Sequence, residues 1–164
     1  MRIYGLVAIL IAVLVLQVSF LPALRPFGIV PNLALIVIAA AALRGPLVSA
    51  MVLALAAGFV LDLASGSDFG LKTGLLAFTV LICAFVVRSG FQLGIRSQLL
   101  IVVFIISTLT PLIVVPELLF AGGRVDLSTV IARWMTVLIL NSAIALVFGP
   151  LFGRIAEPPK SYGA

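Results

Sequence analysis

The sequence contains no histidine and a single cysteine, Cys83. The first absence removes the commonest general base and the commonest zinc ligand. The second excludes a disulfide framework. Charge is also scarce: 9% of the 164 residues are charged, where a soluble domain carries ~25%. An aqueous surface cannot be built from that supply, so the composition belongs to the membrane class. The net charge of +5 is spread over ten basic residues that stand singly between apolar runs. No basic patch or stripe results, and no nucleic-acid partner is expected. The basic residues read instead as topology determinants and contacts to membrane lipids. Enzyme signatures are missing as well. There is no Ser–His pair, no cluster with metal-ligand spacing and no phosphate-binding glycine loop, and of the two facing aspartates an intramembrane aspartyl protease needs, only Asp62 lies near a helix end. A non-enzymatic protein without cofactor or metal is the expectation.

What the chain has in quantity is apolar residues, 64% of the total with mean hydropathy +1.42. Charge-free windows cover 3–24, 26–43, 45–61, 73–87, 97–116 and 134–153. A membrane helix needs about 20 apolar residues. Four windows meet that length, 45–61 sits at the lower edge, and 73–87 is short. Lys72 and Arg88 bracket the short window, and both can snorkel to opposite headgroup layers. The windows predict an all-α fold of six transmembrane helices, with five spans and a bent hairpin over 26–61 as the alternative. Residues 1–155 read as one polytopic membrane domain and 156–164 as a disordered cytoplasmic tail. Arg2 before the first window invites a signal-peptide reading, but no small-x-small cleavage site follows, so a retained first helix is expected.

Turn chemistry separates the windows. Pro22, Pro26 and Pro31 lie between the first two, Gly45-Pro46 follows Arg44, and Ser65-Gly66-Ser67-Asp68 ends the third, with Gly66 as a plausible helix cap. An even number of spans puts both termini on one side. That side holds Arg2, Arg44, Arg88, Arg96, Arg154 and Lys160. The other holds Arg25, Lys72, Arg124 and Arg133. The six-to-four bias places both termini in the cytoplasm.

Ionisable groups at membrane depth cost several kcal/mol unless paired or hydrated, and three qualify: Asp62, Glu117 and Arg133. All approach the outer face, where Arg133 can pair with Glu117 or Asp62. They read either as interfacial residues and structural ion pairs, or as positions for binding and partner docking. Pro111 and Pro116 interrupt the fifth span, and Thr110 and Glu117 share one of its faces. Ala50, Ala54 and Gly58 form a small-residue row suited to close helix contact, within the bundle before any other protein. Cys83 reads as a small buried residue.

Two strings carry a family resemblance. One is Pro31-Asn32-Leu33. The other runs Gly58-Phe59-Val60-Leu61-Asp62-Leu63-Ala64-Ser65-Gly66-Ser67 and on to Gly70. Together they strongly resemble the MreD family of rod shape-determining membrane proteins, in which the first opens the second span and an Asp-Leu-x-Ser-Gly-Ser-x-x-Gly stretch closes the third. Glu117, late in the fifth span, also fits. The resemblance implies a bacterial inner-membrane component of the cell-elongation complex, with MreC, the actin-like MreB, and the peptidoglycan polymerase and transpeptidase as partners. It also implies a six-helix fold similar to the substrate-binding component of energy-coupling-factor transporters, which supplies a rival function: binding a small solute. Few polar groups are available to hold a hydrophilic solute, which favours the scaffold.

Overall fold

A computed structural model describes residues 3–20, 31–65, 70–89, 93–120 and 126–156. Among these residues the chain forms six helices and no strand. Helix α1 (Ile3–Val15) runs on through a π-helical turn (Leu16–Phe20), followed by α2 (Leu33–Arg44), α3 (Leu47–Ser65), α4 (Leu71–Arg88), α5 (Ile95–Phe120) and α6 (Leu127–Ala156).

Each charge-free window therefore holds a helix, but the lengths depart from expectation. Helix α2 has 12 residues, which at 1.5 Å per residue is ~18 Å, well under the ~30 Å of a hydrocarbon core. Its late start has a local cause. Proline disfavours helix at the residue before it and itself donates no hydrogen bond. After Pro31, Asn32 caps the helix, its Oδ1 accepting from Leu35 N at 3.0 Å. Helix α4 gains length instead, taking in both bracketing residues to reach 18. Three helical stretches, Leu47–Ala64, Leu71–Arg88 and Leu127–Phe152, are long and apolar enough to cross a membrane. Tyr4–Ser19, Leu33–Arg44 and Ile95–Pro111 are shorter apolar stretches. Ala156, expected as the first residue of the disordered tail, instead closes α6, while residues 157–164 of that tail and Gly66, the expected helix cap, lie outside the described residues.

Helix α2 is the hub. It packs against α1, α3, α4, α5 and α6, while those five close a ring in the order α1, α3, α4, α5, α6 and back to α1. The sequence of α2 explains its position. Residues Ala34 to Leu43 are all buried, and a helix that is apolar on every face has no side to offer water. Four consecutive alanines, Ala39 to Ala42, let the surrounding helices approach closely. Cys83 is buried against this hub, its Sγ 3.8 Å from the Ala39 carbonyl. The small row of α3 also faces inward: Ala50 and Ala54 are buried, and Gly58 touches the Thr73 backbone. The outer faces of the ring carry exposed apolar residues such as Val52, Phe85, Ile139 and Val147.

Candidate functional site: two buried helix caps

The first four N–H groups of any helix lack intrahelical acceptors, and the N-terminus carries partial positive charge. The polar residues of this bundle converge on two such ends.

The first is the N-terminus of α4. Gly70 there adopts φ +100° and leaves open space where a Cβ would lie, so the glycine serves the left-handed turn and not a tight contact. Having no side chain, it cannot cap the helix it starts. Asp62, in the last turn of α3, caps it from across the hairpin. Its Oδ2 accepts from Gly70 N at 3.0 Å, Thr73 N at 3.1 Å and Thr73 Oγ1 at 2.6 Å, and its Oδ1 accepts from Lys72 N at 2.9 Å. The carboxylate is 2% exposed. Lys72 reaches back to donate from Nζ to the Leu61 carbonyl at 3.4 Å, placing a cation at the C-terminal end of α3, where the dipole favours it. Gly58 makes the approach possible. A Cβ there would collide with the Thr73 backbone, and Gly58 lies one turn before Asp62 on the same face.

The expected pair between Asp62 and Arg133 does not form. Helix α6 begins at Leu127, so Arg133 lies in its second turn instead of at its start, and it is exposed. Helices α3 and α6 flank different sides of the ring and are not packed neighbours. The cap of α6 is Asp126, whose carboxylate accepts from Ser128 N, Ser128 Oγ and Thr129 Oγ1 at 3.2, 2.7 and 2.6 Å. Those bonds hold its carboxyl down at about 2. The side chains of Glu117 and Ser65 lie outside the described residues. Thr110, expected on a polar face with Glu117, donates back to the Ile106 carbonyl at 2.9 Å.

The second cap lies at the N-terminus of the hub, beside the midpoints of α5 and α6, with Gln17 and Asn32 half-buried and Asn141 buried. Asn32 N donates to Asn141 Oδ1 on α6 at 2.9 Å. Ala34 N donates to Gln17 Oε1, in the π-helical turn after α1, at 3.0 Å, and Gln17 Nε2 donates to Asn32 Oδ1 at 3.4 Å. Asn141, 2% exposed, extends the network through Nδ2 to Ser107 Oγ on α5 at 3.3 Å. Side chains from α1, α5 and α6 thus meet at one end of α2. Sequence reasoning singled out Asn32 but missed Gln17, Ser107 and Asn141. Their signal is that of neutral amides and hydroxyls standing within charge-free windows.

Among the described residues, no three His, Cys, Asp or Glu side chains gather where a metal ion could bind. Asp62, with donors on both oxygens, is positioned to hold two helices together. Trp134, seven residues before Asn141 on the same α6 stripe, has a buried indole N–H without a hydrogen-bond partner among the described residues. Comparison of the chain with protein-family models, with curated proteins and with solved structures finds no match in any of the three.

Proposed function

We propose that the protein is a non-enzymatic, multi-pass component of the bacterial inner membrane that acts in the cell-elongation complex, as its resemblance to the MreD family implies, with MreC as its nearest partner. The observation that carries this reading is the Asp62 cap. The Asp-Leu-x-Ser-Gly-Ser-x-x-Gly string that carries the resemblance is also the segment in which one buried carboxylate locks two helices by four hydrogen bonds. A rigid hairpin end suits a scaffold, which must present a fixed surface to other proteins. Six membrane-embedded helices with both termini cytoplasmic fit the hydropathy and the basic-residue bias. In that arrangement α2 is a half-length helix, sheltered from lipid by its neighbours, which satisfies the requirement that backbone ends at membrane depth be paired within protein.

Depletion tests the reading. Rod-shaped cells should become round and lose MreC placement, while solute uptake stays unchanged. Unchanged morphology would refute it. Cysteine labelling at Ser161 and Gly123, with Cys83 replaced, should report opposite sides of the membrane; same-side labelling would revive five spans.

A second reading, a small-solute-binding component of the energy-coupling-factor type, has one observation in its favour. The indole N–H of Trp134, without a partner among the described residues, lies two turns beyond Asn141 toward the end of the bundle that α2 does not reach, where it would greet an acceptor group. Loss of uptake of a specific vitamin on depletion, with normal cell shape, would select this reading.

A further inference from the structure

Helices α5 and α6 form an antiparallel hairpin of constant register. Leu99 packs against Gly149, and Ser107, eight residues on, bonds to Asn141, eight residues back. Continuing the same register sets Arg96 level with Phe152, within two residues of Arg154. Both arginines are exposed, and no carboxylate among the described residues pairs with either. They lie at the edge of the apolar zone: Arg96 is the second residue of the stretch Ile95–Pro111, and Arg154 follows the stretch Leu127–Phe152 by two residues. Above them, on the outward face of the same hairpin, runs a groove of about 650 Å³, within the ~300–1,000 Å³ range of sites that bury elongated ligands. Leu100 and Phe104 line it from α5, Ile139 and Leu146 from α6, and Ser142 is its one polar side chain. Leu100 is a single helical turn above Arg96, ~6 Å, so charge and groove are continuous.

We propose that this hairpin face holds one anionic glycerophospholipid, with an acyl chain in the groove and the phosphate between Arg96 and Arg154. The inference rests on the membrane reading above and is independent of the cell-shape role. Guanidinium groups bind phosphate by paired, charge-assisted hydrogen bonds. At this depth the groups that meet them are lipid headgroups. A groove lined almost wholly by alkyl and aromatic carbon matches an acyl chain, and the level arginine pair selects a net negative headgroup over a zwitterionic one, whose own ammonium would compete for the phosphate. A transmembrane segment of another protein, or a second copy, would fill the groove without needing either arginine.

The experiment is native mass spectrometry of the full chain from mild detergent, titrated with phosphatidylglycerol or phosphatidylethanolamine of identical chains. Wild type should retain one phosphatidylglycerol in clear preference. Arg96→Gln or Arg154→Gln should each weaken that adduct about 5-fold, and the pair roughly 30-fold, since each basic residue at a membrane surface contributes on the order of one such factor. Ala143→Phe, which fills the groove, should weaken both lipids while leaving the thermal midpoint within the range of the arginine variants. Equal retention of the two lipids, or indifference to the double arginine change, would overturn the proposal. So would a dimer or captured transmembrane protein lost on Ala143→Phe. Extraction separates the two readings: a protein freed from membranes by alkaline carbonate, without detergent, would fail the membrane assignment itself.

Discussion

The two capped helix ends solve one problem with different chemistry. At α4 a full carboxylate near the end of the bundle accepts four hydrogen bonds. At α2, whose end lies deep among α1, α5 and α6, three neutral side chains accept from the backbone: Gln17, Asn32 and Asn141. The dipole would reward an anion at either end. On the membrane reading proposed above, depth along the bundle accounts for the difference. The cost of a charge rises toward the bilayer centre, where insertion scales put aspartate at about +2.5 to +3.5 kcal/mol. An amide forgoes the dipole gain and avoids that cost. The charged cap also has Lys72 nearby to offset it, whereas the described residues around the α2 cap include no cation.

The largest effect should follow from removing the charged cap. Asp62→Leu leaves the amides of Gly70, Lys72 and Thr73 without their acceptor in a buried setting, and breaking a buried charged contact costs about 3–5 kcal/mol. The variant should accumulate poorly and fail to support rod shape, read by immunoblot and by microscopy of depleted cells. Asp62→Asn retains one acceptor oxygen but turns its NH2 toward an amide that needs an acceptor, for a smaller cost of about 1–3 kcal/mol. Normal abundance and shape with Asp62→Leu would reduce this residue to an interfacial carboxylate.

Next in size is the converse substitution. Asn141→Asp places an anion at the deep cap without changing side-chain volume, so the depth argument gives a loss of about 2.5–3.5 kcal/mol. A thermal midpoint in detergent well below wild type is expected. A midpoint at or above wild type would show that the dipole outweighs depth, and the contrast between the two caps would lose its explanation.

Gly58→Ala tests how the charged cap is built. The added methyl meets the Thr73 backbone, which cannot rotate away as a flexible side chain would, so α3 and α4 must separate. Overpacking of this kind costs about 1–3 kcal/mol. Amide hydrogen exchange at Thr73 should rise, since the separation lifts its N–H from Asp62. Unchanged exchange with a lowered midpoint would mean that the strain relaxes elsewhere.

These residues also show how far the sequence could be read. The positions of all six helices were visible because a charge-free run long enough for a helix is itself the signal. Asp62 was visible as the carboxylate that closes such a run, and Asn32 as the polar residue after Pro31. The donors to Asp62 in the next helix were not, since Lys72 and Thr73 lie 10 and 11 residues on, across a turn whose geometry no local pattern encodes. The place of Asp62 three residues before Ser65 predicts a bond to that hydroxyl or to nearby loop amides that fixes the hairpin, or a pair with Arg133; the Gly70 amide meets the loop-amide expectation. Nor did any pattern join Gln17, Ser107 and Asn141, which come together only once α2 occupies the centre of the ring. The alanine-rich, uniformly apolar composition of α2 suits the centre of the ring, yet window 26–43 reads from sequence only as another span, and Pro31 and Asn32 shorten it from within.

The smallest effect concerns Asp126, an exposed third cap that sharpens the comparison because neither depth nor burial acts on it. Its carboxyl is held down at about 2 from an ordinary 3.8 by the bonds from Thr129 and Ser128. A carboxylate depressed by folding stabilises the folded state above its unfolded value, and that contribution vanishes as pH falls through the folded one. The cap of α6 should therefore be at full strength above pH 3.8 and gone below about 2. Asp126→Asn keeps an acceptor for the α6 terminus and removes the titration. Thermal midpoints in detergent, measured for both proteins across this interval, should differ most at its upper end and converge as pH falls. A difference between them that stays constant with pH would mean that the bonds to Ser128 and Thr129 do not depend on the charge, and that Asp126 caps α6 as a neutral residue would.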